Sequence, residues 1–120
     1  MTPESPARFD PEAIARLRRF GGDALLFQMI DVVVAAAPGR LAAVREGVAR
    51  ADAPAARAAL HALKSSAGQL GAVTVQGLCE RGERLAGGGD VAGVTALMPL
   101  LESESEAMLE WLASIRAGGR

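Results

Sequence analysis

Apolar residues recur every three or four positions along nearly the whole chain, the spacing that lines them up on one face of an α-helix. Glycines and prolines punctuate the pattern. Ile14, Leu17 and Phe20 predict a short first helix after Pro11, facing inward and ended by Gly21-Gly22, with Asp23 capping the next. From there Leu26, Ile30, Val33, Ala37, Leu41, Val44 and Val48 keep one phase across Pro38-Gly39. One long helix, kinked at Pro38, fits that continuity, and a full break there is the alternative. A third helix begins at Asp52 to Pro54, where a capping aspartate and an early proline coincide. Its inward stripe is Ala56, Leu60, Leu63, Ala67 and Leu70, and Gly71 ends it.

Val75, Leu78, Gly82 and Leu85 mark a fourth helix that stops at Gly87-Gly88-Gly89, and Asp90 caps the last. That final helix presents Val94, Met98, Leu101, Ser105, Met108, Leu112 and Ile115, with Pro99 inside it as a second expected kink. Ser105 sits at a core position, where its hydroxyl must bond a backbone carbonyl or face a thinner part of the core. Four main helices with short connections and a short additional N-terminal helix predict an all-α fold, an up-down-up-down antiparallel four-helix bundle. A length of 120 residues suits a single domain over 1–120, with an ordered core of about 10–117.

Composition narrows the function more than the fold. The hydrophobic residues, 50% of the chain, are mostly Ala, Leu and Val, aromatics are only 3%, and a net charge of −1 provides no bulk field for nucleic acid or an anionic membrane. The start of the chain, with its prolines and no apolar run, does not read as a signal peptide. No segment is read as approaching the ~18 apolar residues of a membrane span, so the expected location is cytoplasmic. Cys79 and His61 are each the only residue of their type, which leaves no internal disulfide and disfavours a conventional zinc site.

The chemistry gathers around that histidine. On a helical wheel Arg57, His61, Lys64, Ser65 and Gly68 share one face, roughly 130° from the buried stripe, so the imidazole points outward. Cations one turn to either side suit a phosphoryl group. The same residues also fit an ordinary solvated face, and Lys64 has Glu80 as a candidate partner on the next helix. Gly68 lowers helix propensity by about 1 kcal/mol, and either close approach by another protein or a helix contact accounts for it. No physical account emerges for Gly77. If the third and fourth helices are antiparallel about a turn at Ala72, His61 and Glu83, each eleven residues from it, lie at the same height.

The run His61-Ala-Leu-Lys64-Ser65-Ser66-Ala-Gly68-Gln69-Leu70-Gly71-Ala72 closely resembles the signature of histidine phosphotransfer (HPt) domains: a phosphorylatable His, an aliphatic residue, Lys, a Gly-Ser/Ala stretch and a final Leu-Gly. The resemblance extends through Gly21-Gly22-Asp23 and Leu78-Cys79-Glu80-Arg81. One departure is Ser65, where the family commonly has Gly. The resemblance implies a carrier that accepts a phosphoryl group on His61 from the aspartyl phosphate of one receiver domain and passes it to another.

It further implies Lys64 as the cation for the phosphoryl oxygens and, since the family often has Gln there, Glu83 as the group that orients the imidazole. Arg57, Ser65, Gly68, Gln69 and Ala72 are the expected receiver-docking residues. The implied partners are response-regulator receiver domains and a hybrid sensor histidine kinase. No cofactor is expected in this chain, and Mg²⁺ is assigned to the receiver. The chain carries no ATP-binding domain or autokinase sequence, so a standalone, monomeric carrier is expected rather than an enzyme. The competing reading is an HPt-like adaptor that docks a receiver or kinase without carrying phosphate.

Overall fold

The computed structural model describes residues 8–118, and it contains four helices: α1 (Pro11–Ala49), α2 (Ala53–Gln69), α3 (Val73–Gly87) and α4 (Val91–Gly118). Among the described residues there is no strand. The sequence accounts for the helix starts. Asp10 and Asp52 each accept a backbone N–H of the first turn, with a proline at the start of each helix, and Asp90 accepts from Gly93 at 2.8 Å.

Gly22 interrupts α1 with φ 72° and ψ −172°, so residues 11–21 form the predicted short first helix and 23–49 the long one. The chain does not break at Pro38 or Pro99. Both prolines lie on exposed positions, where the carbonyl each leaves without a helical donor is open to water.

Each helix packs on its neighbour in the chain, and α1 closes the ring against α4. Ion pairs give the α1–α4 register. Arg45 meets Glu102 at 2.7 Å and Asp31 meets Arg116 at 3.1 Å, so moving down one helix means moving up the other. Phe9 stacks on Trp111 with ring centroids 4.4 Å apart, fixing the entrance to α1 against α4.

The core is the predicted stripe, with Leu17, Val48, Leu85 and Ile115 only partly buried and Phe20 outside it. Leu26, Ile30, Val44, Leu60, Leu63, Leu70, Leu101, Met108 and Leu112 are all essentially solvent-free. Phe20, expected to face inward, is instead 88% exposed, because it lies at the end of the short segment just before the Gly22 break. Ser105 is completely buried and its hydroxyl has no hydrogen-bond partner, so the carbonyl bond is not made.

The α2–α3 turn positions the site. Gly71 adopts φ +79°, its carbonyl accepts the Asp10 amide at 2.8 Å, and a Cβ there would come within 2.6 Å of the Asp10 carbonyl oxygen. Only glycine fits both demands. The turn is thereby clasped to the start of α1, and Ala72 is fully buried beneath it.

The expectation that no segment could span a membrane is corrected in one respect. An 18-residue window of α1 has a mean hydropathy of 1.6, long and apolar enough by length and composition. In the fold, the Leu, Ile and Val stripe of α1 lies in the bundle core.

Candidate phosphoacceptor site

His61 projects from the outer face of α2 with 62% of its side chain exposed. Antiparallel packing of α3 brings Glu83 beside it. The carboxylate can only accept, so the imidazole donates from Nδ1–H to Glu83 Oε2 across 2.9 Å, and Nε2 is left as the nitrogen with a free lone pair. The other oxygen, Oε1, lies 2.8 Å from Lys64 Nζ in an ion pair.

Glu83 is only 14% exposed. Burial pushes its carboxyl upward, but close contacts with Lys64 and His61, and their charges, outweigh that and hold it below the ordinary value of 4.5. It is therefore a carboxylate at neutral pH. Lys64 is paired with Glu83 rather than with Glu80, the alternative suggested by the sequence, although Glu80 is the residue as far from the turn as Lys64: the long lysine side chain reaches one turn further along α3, and Glu80 stays exposed.

The remaining candidates divide. Arg57, one turn before His61, lines an open cleft with His61, Lys64, Glu83, Ala86 and Gly87. Ser65 is exposed, and its hydroxyl donates back to the His61 carbonyl at 3.2 Å. Gln69 is exposed at the end of α2. Gly68 is half-buried beneath Gln76, whose amide nitrogen would lie 2.9 Å from a Cβ at that position. Ala72 has no exposed surface and is corrected as a docking residue, because at the α2–α3 turn it belongs to the buried core cluster.

Gln76 is the residue sequence reasoning missed. It and Gly68 are each four residues from Ala72, so the equidistance that pairs His61 with Glu83 also pairs them. At the core-facing position Gly82, a Cβ would sit 2.9 Å from Leu60 Cδ1. That close approach lets α3 come near enough for Glu83 to reach α2. Gly77, by contrast, faces open space.

The Cys79 thiol is buried one turn before Glu83, and burial together with the Glu83 charge pushes its pKa up to about 12, so it is held as an unreactive thiol. Among the described residues no cluster of three or more His, Cys, Asp or Glu side chains is placed to hold a metal ion.

An exposed imidazole held through Nδ1 on a four-helix bundle is the arrangement of a histidine phosphocarrier, and comparison with known families agrees. The Hpt domain model matches residues 28–117, and the chain belongs to that family. Hpt domains are phosphocarriers of phosphorelay signalling, working with receiver domains and kinases.

Among solved structures the chain is similar to histidine-containing phosphotransfer protein B (HptB) from Pseudomonas aeruginosa PAO1, with 25% sequence identity and a TM-score of 0.88 over 97% of this chain and 100% of that one. No match is found among curated proteins.

Proposed function

We propose that this chain carries phosphate between receiver domains, taking it on His61 Nε2 from the aspartyl phosphate of one receiver and giving it to the aspartate of another. The observation that carries the reading is the Nδ1–Glu83 contact of 2.9 Å on a ring that is otherwise exposed. It directs the free lone pair away from the bundle, toward a partner.

In the forward step the Nε2 lone pair forms the N–P bond. The P–O bond to the receiver's aspartate breaks, and its electron pair leaves on that carboxylate. No proton needs to move. The ring keeps its Nδ1 proton and becomes a phosphorylated imidazolium, whose positive charge develops beside the Glu83 carboxylate. Return transfer reverses these events. Mg²⁺ belongs to the receiver in this scheme, where it neutralises charge on the transferring group. A hybrid kinase is the proposed source of phosphate, and a cytoplasmic monomer suits a carrier that exchanges partners by diffusion.

The test is incubation with a panel of labelled, phosphorylated receiver domains. Acid-labile label should move to the parent chain and not to His61→Gln, which should keep the parent's helical content because the side chain is exposed. Label on folded His61→Gln would remove His61 from the mechanism. Tight receiver binding by the parent without label would favour the adaptor reading.

A further inference from the structure

The cation three residues after His61 is already occupied. Lys64 is 26% exposed and its ammonium is drawn to Glu83, on the Nδ1 side of the ring rather than the Nε2 side. Arg57 differs on each count. Among the described residues its side chain makes no ion pair or hydrogen bond, it is exposed, and it shares an open cleft with His61. Four residues at a rise of 1.5 Å place it about 6 Å along α2 from the histidine, within reach of an arginine side chain.

Its resting place is also specific. The guanidinium lies along α3 at Gly87, where a Cβ would be 3.5 Å from Arg57 Cζ and 3.6 Å from Nη1. These are ordinary van der Waals distances, so the guanidinium rests against the α3 surface at Gly87 without being held there by a polar partner. A guanidinium offers two parallel N–H donors to phosphoryl oxygens, and no internal ion pair has to break before it does so.

We propose that Arg57 is the side chain that meets the phosphoryl group on His61 Nε2, and that Lys64 is a positioning residue acting through Glu83. This rests on the carrier reading above and assigns the two cations separate tasks. Lys64 balances the charge of Glu83, which holds the ring, while Arg57 binds the oxygens of the group the ring carries.

The experiment uses the full chain and two phosphate donors, a phosphorylated receiver domain and phosphoramidate. With phosphoramidate the Nε2–P bond forms, the donor's N–P bond breaks and ammonia leaves, so no protein docking is required. The ³¹P resonance of the phosphohistidine, the ¹⁵N resonance of His61 Nδ1 and the transfer rate are measured for the parent, Arg57→Gln, Arg57→Lys and Lys64→Met.

Arg57→Gln should move the ³¹P resonance and slow labelling from both donors, by about tenfold for the loss of one charge-assisted contact. Arg57→Lys should recover part of the rate. Lys64→Met should move the Nδ1 resonance and leave the ³¹P resonance in place. An unchanged ³¹P resonance and rate in Arg57→Gln overturns the assignment, as does a ³¹P shift in Lys64→Met equal to that in Arg57→Gln. Slowing of Arg57→Gln with the receiver alone would make Arg57 a docking residue and overturn it too. Failure of the parent to take label from either donor overturns the carrier reading itself.

Discussion

Glu83 holds His61 from the neighbouring helix, Oε2 to Nδ1 at 2.9 Å, while its second oxygen engages Lys64 at 2.8 Å. One carboxylate therefore fixes the orientation of the ring and the position of a cation. Both contacts depend on α3 lying close to α2, which Gly82 permits.

Replacing that carboxylate separates orientation from charge. Glu83→Gln keeps an oxygen that accepts from Nδ1–H, whereas Glu83→Ala removes the acceptor and leaves Lys64 unpaired. Initial rates of phosphoryl transfer from a receiver should fall by about tenfold in Glu83→Ala and by less in Glu83→Gln. Equal losses in the two variants would mean that charge, and not ring orientation, is what Glu83 supplies.

The lowered Glu83 carboxyl also sets a pH dependence. Its folded-state pKa lies below the ordinary 4.5, so its contacts contribute stability that is fully present above that value and is lost as pH falls through the folded-state value. Denaturant unfolding should show the parent more stable than Glu83→Gln near neutral pH, with the difference shrinking at acid pH. A difference that stays constant down the acid range would contradict the assignment.

Gly68 tests how closely a receiver approaches. A side chain there meets only the far end of Gln76, which can swing aside, and glutamine has the better helix propensity by up to about 1 kcal/mol. Gly68→Gln should unfold at or near the parent's denaturant midpoint and yet accept phosphate slowly from a receiver, while its labelling by phosphoramidate stays normal. Receiver-dependent transfer at the parent's rate would place the docking surface elsewhere.

Ala51, in the connection between α1 and α2, has φ 53°, a left-handed conformation that costs a residue bearing a Cβ about 1 kcal/mol. The residue is exposed, so no packing is lost on its removal. Ala51→Gly should raise the unfolding free energy by roughly 0.5–1 kcal/mol, read from urea denaturation, with transfer unchanged. A destabilised Ala51→Gly protein would show that the flexibility gained by the unfolded chain outweighs the strain relieved.

The helices and most of the core were legible because burial in a bundle repeats every three or four residues, and Leu26 to Val44 and Leu60 to Leu70 keep that beat without interruption. Phe20 broke the rule where a helix segment ends and no neighbour covers it. Ala72 did so because it is packed into the core cluster at a turn held by a bond from Asp10 to Gly71, positions far apart in sequence.

Equidistance from a turn was enough to align Glu83 with His61, and it would have aligned Gln76 with Gly68. It aligned Lys64 with Glu80, yet the lysine turns toward Glu83. That choice depends on side-chain reach across an interface, which periodicity does not encode.

A single free ring nitrogen has a consequence for traffic. Under the proposed transfer between receivers, donor and acceptor both have to reach Nε2 of His61, so they would exclude each other and visit in turn. On that proposal the carrier would work as a ping-pong shuttle, and an excess of either unphosphorylated receiver would compete with the other for the same landing place. Signal flow through such a node depends on the ratio of the two receivers as well as on the kinase that feeds them.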